Sequence, residues 1–155
     1  MKKAECESFP WGKKADKVDY GVMYESRYKL LKIAFERFLR AEPDDFEAFC
    51  EKEADWLSDY ALFMALKDAN GGNAWFSWEK DLKMRKPEAL AEARSTYAKD
   101  IRFYQMLQYL FFKQWWELKA YVNEKGIEII GDVPIYVAGD SADVWANPEA
   151  VSYTH

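Results

Sequence analysis

A mainly α-helical chain carrying one or two short β-strands is the fold class the sequence predicts, on three observations. Apolar residues recur at intervals of three and four through most of its 155 positions. One β-branched run, Ile127, Ile129 and Ile130, stands behind Gly126, directly after the longest helical pattern. Nothing upstream reads as a strand, so helix, Gly turn and strand make half of a βα unit whose sheet partners the sequence does not supply.

Taken in order, residues 1–22 hold Pro10, Gly12 and Gly21 among scattered charges and read as an irregular lead-in. From Glu25 to Arg40, Tyr28, Leu31, Phe35, Phe38 and Leu39 form one helical face, which Pro43 ends. Asp44 or Asp45 is placed to cap a second helix with Phe46, Phe49 and Cys50 inward. A third helix is expected over Trp56 to Ala69, with Leu57, Tyr60, Ala61, Met64 and Ala65 as its stripe. Asn70-Gly71-Gly72 supplies its left-handed stop. Trp75 and Trp78 are core anchors or platforms for a sugar ring. Pro87 opens a helix running through Thr96. The longest helix runs from Ala98 to Lys125, and its apolar residues (Tyr104, Leu107, Phe111, Trp115, Leu118, with Phe103, Met106, Leu110 and Tyr121) require burial on two sides.

Composition narrows the function. Half the residues are hydrophobic and 17% are aromatic, which argues for a packed core over disorder. A net charge of −5 argues against a nucleic-acid partner, whose phosphates call for a basic patch. Cys6 and Cys50 stand in no metal-like spacing and suit a reducing compartment. Neither a membrane span nor an apolar signal core is indicated, so the expected location is cytoplasmic.

The chemistry gathers after the Ile run. Asp132 closes the strand, where a parallel strand gives way to its loop, and α/β barrels place their active sites at such strand ends. Asp140 and Asp143 follow within twelve residues. Three acids at this spacing suit retaining glycoside transfer, which needs a carboxylate nucleophile and a carboxylic acid facing it, or a hard cation, although the DxDxDG calcium-loop spacing is missing. Asp140 and Asp143 equally suit helix caps or Asx turns.

The segment GDVPIYVAGDSADVWANPE, residues 131–149, resembles the region around the third barrel strand of the amylomaltases, the 4-α-glucanotransferases. KVDY at 17–20, WLSDYALFMAL at 56–66 and FYQMLQYLFF at 103–112 resemble the same family in the same order. The resemblance runs from about Phe9 to Glu149, and the family's proteins are several times longer, so an internal fragment is expected. It implies a helical subdomain over residues 1–97, inserted in a (β/α)8 barrel. Residues 98–149 would then be a long helix, a barrel strand and an active-site loop, and 150–155 an atypical tail. It further implies transfer of an α-1,4-glucan segment to a new acceptor by a retaining double displacement, without metal or organic cofactor. The nucleophile and the acid/base of the family lie in later strands, so no catalytic residue is expected here and the fragment alone is expected to be inactive. Asp132 matches the position that binds the donor sugar, and Asp140 and Ser141 match the run lining the same cleft. Tyr20 matches a Tyr of an outlying glucan-binding surface. His155, past the point where the tail leaves the family pattern, is assigned no role. The expected partners are α-1,4-glucans and a second copy of the chain, through the unpaired strand and the long helix. The alternative is a small helical glucan-binding or protein-interaction module without catalysis.

Overall fold

The computed structural model describes residues 2–12, 16–133 and 135–150; the assignment of no role to His155 and most of the expected tail fall outside them. The chain divides into two compact units, residues 1–44 and 45–155. Among the described residues no helix is long and apolar enough to cross a membrane.

The first unit holds α1 (Lys3–Glu7) and α2 (Tyr20–Phe38). The lead-in expected to be irregular thus contains a turn of helix, in which the Lys2 backbone N–H donates to Glu5 Oε2 at 2.7 Å and the Glu5 N–H returns to the Lys2 C=O at 3.0 Å. Arg37 of α2 grips the same carboxylate with both guanidinium arms, Nη1 donating to Oε2 at 2.9 Å and Nη2 to Oε1. Asp19 caps α2, accepting from Val22 N–H at 3.1 Å, so the helix begins at Tyr20, five residues before the start that the apolar pattern gives. Ser26 is buried because its hydroxyl donates to Pro10 C=O at 2.5 Å. Gly12 is required as glycine: its φ is +112°, and a Cβ there would stand 3.3 Å from Asp19 Cβ.

The second unit is built on α4 (Ala54–Ala69). Leu57, Ala61, Leu62, Phe63, Ala65 and Leu66 are all buried, and these positions go round the helix, so α4 is covered from several directions at once. α3 (Phe46–Lys52), α6 (Pro87–Thr96), α7 (Ala98–Glu124) and the short α8 (Ala142–Ala146) pack on it, with α5 (Lys80–Lys83) against α6. Phe46 is fully buried, edge-on to Tyr109 at 5.3 Å with the Arg102 guanidinium 4.4 Å above its ring. Asp45 sits at the N-cap of α3, but its side chain takes the Tyr109 hydroxyl at 2.7 Å instead of a cap N–H. The stop after α4 is as the residues require, with Gly71 at φ 64° and Gly72 at φ 79°.

α7 is buried only over its first half, through Ile101, Phe103, Tyr104, Met106 and Tyr109; Phe111, Leu118 and Tyr121 are 50–60% exposed. Gly126 turns out of it at φ 74°, with Ile127 N–H returning to Val122 C=O at 3.1 Å. The strand expected over Ile127–Ile130 does not form. No strand occurs among the described residues, and Ile130 is 94% exposed. A strand exists only by exchanging hydrogen bonds with a neighbour, and among the described residues no strand pairs with this run. Over the described residues the class is therefore mainly α, with neither of the one or two short strands.

Candidate functional site

The segment that carries the candidate residues is exposed at the described residues of its start and anchored at its end. Asp132 is exposed in the extended stretch after α7, among Val133, Ile135 and Tyr136, which are 79–87% exposed. Eight residues on, the chain is held. Asp140 Oδ2 accepts from Lys67 Nζ at 2.5 Å, near the end of α4, and Oδ1 accepts from the Trp75 backbone N–H at 3.3 Å. Trp75 binds a second time, its indole N–H donating to Gly139 C=O at 2.8 Å.

Ser141 follows as the N-cap of α8, its hydroxyl oxygen accepting from Val144 N–H at 3.3 Å. The cap is thus Ser141; neither Asp140 nor Asp143 fills that position, and Asp143 lies in the first turn. The helix is only one turn long, and burial of Val144 and Trp145 at 1% exposure is what holds it. The Trp145 ring packs against Phe63 at 5.8 Å and edge-on to Trp78 at 5.7 Å, and its indole N–H donates to Leu82 C=O at 3.2 Å. Arg85 lies over its face at 4.3 Å. Arg85 holds a left-handed backbone, φ 52°, and Asp59 binds it at 2.7 Å and Arg94 at 3.1 Å. Trp78 is 5% exposed and donates to Asn73 C=O at 3.0 Å, so it is core and offers no sugar platform.

Of the four expected site residues, Asp140 and Ser141 are neighbours at the anchored end and Asp132 stands exposed upstream. Tyr20 is the first residue of α2, in the other unit, 73% exposed. Among the described residues no three His, Cys, Asp or Glu side chains stand close enough to hold a metal ion. Sequence reasoning missed Lys67, and it named Trp75 as a core anchor or sugar platform without its tie to Gly139 and Asp140. Lys67 is 73 positions from Asp140, and its place on α4 looks like that of any solvated lysine.

Comparison with known proteins places this architecture. A family model described as 4-alpha-glucanotransferase matches residues 2–155. A 4-alpha-glucanotransferase of Thermus thermophilus is 50% identical over 149 residues, covering 94% of this chain and 29% of that protein. One from Synechocystis is 47% identical over 137 residues, covering 86% and 27%. Among solved structures, an amylomaltase from Streptococcus agalactiae in complex with acarbose superposes with a TM-score of 0.89 at 39% identity, covering 96% of this chain and 30% of that one. The chain spans about 30% of the length of the proteins it matches.

Proposed function

We propose a function from the premise that this chain belongs to the 4-alpha-glucanotransferase family. The chain acts as one segment of a longer enzyme that moves a piece of an α-1,4-glucan to glucose or to another glucan, by a retaining double displacement through a covalent glycosyl-enzyme. The observation that carries this reading is 50% identity sustained over 94% of the chain with a 4-alpha-glucanotransferase.

In this reading the segment supplies substrate positioning, while the nucleophile and the acid/base come from the remainder of the longer protein. Asp132 hydrogen-bonds hydroxyls of the donor sugar beside the cleavage point. Asp140 and Ser141 line the same cleft, and Tyr20 belongs to an outlying glucan surface. The anchored end at residues 139–146 supports this assignment, because a carboxylate that orients a sugar needs its loop fixed to a rigid element. Residues 127–132 form a rung of a (β/α)8 barrel once neighbouring strands are supplied, with residues 1–97 as a helical insert. The enzyme works in the cytoplasm without a cofactor.

The test is a chimera in which this chain replaces the aligned segment of the Thermus thermophilus relative. Given maltotriose, the chimera is expected to produce shorter and longer oligomers, and the isolated chain none. A folded chimera without transfer, or transfer by the isolated chain, contradicts the proposal.

A further inference from the structure

Away from the Asp132 loop, α3 and the middle of α7 leave a groove of about 460 Å³ open to solvent, within the roughly 300–1,000 Å³ range of small-ligand sites. Its apolar lining is made of rings. Phe49, Tyr109, Phe112 and Trp116 line it, the Phe49 ring 5.6 Å from Tyr109 and 5.8 Å from Phe112, and Ala48 is the only aliphatic residue among them. Tyr109, Phe112 and Trp116 follow one another at intervals of three and four and so share one face of α7. Trp116 is 51% exposed, and the Lys119 ammonium lies 5.2 Å from its ring centre.

The rim is polar and nearly balanced in charge, with Lys52 and Lys113 set against Asp45, Glu53 and Glu117. Part of it is wired together: Lys113 Nζ donates to the Tyr109 hydroxyl at 3.0 Å, which donates to Asp45 Oδ1 at 2.7 Å. Glu53 Oε2 is fixed by the Trp56 indole N–H at 2.8 Å. A peptide helix would bring a continuous apolar face to such a groove, whereas here the rings alternate with charged and hydroxyl groups along its length. Flat ring faces bordered by held donors and acceptors of both signs match an uncharged ligand with an apolar C–H face and a hydroxylated edge, which is a pyranose.

We propose that this groove is a further α-1,4-glucan site, separate from the Asp132 cleft and from the Tyr20 surface, in which sugar rings lie on Trp116 and Phe112 and their hydroxyls meet Lys113, Asp45 and Glu53. The choice of an α-1,4-glucan among sugars rests on the function proposed above; the groove itself does not. The site lies wholly within the second unit and needs no residue outside it.

The test is a calorimetric and tryptophan-fluorescence titration of the 155-residue chain with maltoheptaose, beside the variants Trp116→Ala, Lys113→Gln and Leu118→Ala. Loss of the Trp116 platform is expected to weaken binding about tenfold. Lys113→Gln weakens it less, Leu118→Ala leaves it unchanged, and circular dichroism of all three matches the parent. Three results overturn the site: no binding by the chain, an affinity that both groove variants leave unchanged, or concentration-dependent association that Trp116→Ala abolishes, which makes a second copy the occupant. Loss of binding with Asp132→Asn in place of the groove variants also overturns it while leaving the proposed function standing. Groove binding in a chain whose chimera performs no transfer separates the opposite failure.

Discussion

Lys67 and Asp140 illustrate what a sequence pattern holds at the level of single residues and what it withholds. Asp140 is singled out by the sequence as one of three acids after the Ile run and by its match to the family's DSADVW segment. Its partner is not, because the ion pair closes over 73 positions and neither side chain carries a local signal of the other. The same limit explains the cap of α8. Asp140, Ser141 and Asp143 are all competent caps, and the choice of Ser141 is made by the depth at which Val144 and Trp145 lodge, which only the packed structure fixes. The pair is a third or less exposed on each side, so it is worth more than a surface salt bridge. Lys67→Met strands a carboxylate against the Trp75 N–H and is expected to cost about 1–3 kcal/mol in urea unfolding. In a double-mutant cycle with Asp140→Asn the two changes are expected to be non-additive, with a coupling of at least about 0.5 kcal/mol. Additive effects would mean that the pair does not anchor the loop.

At the level of elements, the helices were readable wherever a terminus had its own chemistry. Pro87 opens α6 and Gly71-Gly72 closes α4 at the positions that backbone preference dictates. The Ile127–Ile130 run was misread because β-branching reports a preference for extended backbone, whereas a strand also needs a partner. The helix α1 gives no sequence signal for the opposite reason: five residues carry no periodicity, and what holds them is the Glu5 carboxylate, bound by the Lys2 backbone N–H and by the distant Arg37. That contact titrates. The Arg37 hydrogen bonds, followed by that of the Lys2 backbone, hold the Glu5 carboxyl down from 4.5 to about 2. A depressed acid stabilises above its ordinary value and loses that contribution as pH falls. The docking of α1 on α2 is therefore expected to be complete above about pH 4.5 and to loosen between there and about pH 2. Amide chemical shifts of residues 3–7, with and without Glu5→Gln, check this; a variant that keeps the same acid transition refutes the assignment.

For the whole molecule, the apolar surface left in water is concentrated on the far half of α7 and the stretch after it. Phe111 and Leu118 are 58% and 50% exposed, and Ile130, Ile135 and Tyr136 exceed 80%. At 3.6 residues per turn, the Phe111 and Leu118 face lies about 200° round α7 from that of Tyr109 and Trp116, so it is separate from the groove. Uncovered surface of this kind drives association. Light scattering at tens of micromolar is expected to return a dimer that Leu118→Glu dissociates, and a clean monomer refutes it. The composition argues for a packed core and gives no sign of this exposed surface, which arises because α7 outruns the helices packed against it. The central claim concerns Asp132, and the most direct measurement is maltotriose disproportionation by the Thermus thermophilus chimera with and without Asp132→Asn. Losing one charge-assisted hydrogen bond to the sugar is expected to cost about 2–4 kcal/mol, or roughly 30- to 1,000-fold in transfer, with helical content unchanged. Transfer by the Asp132→Asn chimera at the unsubstituted rate would contradict the account.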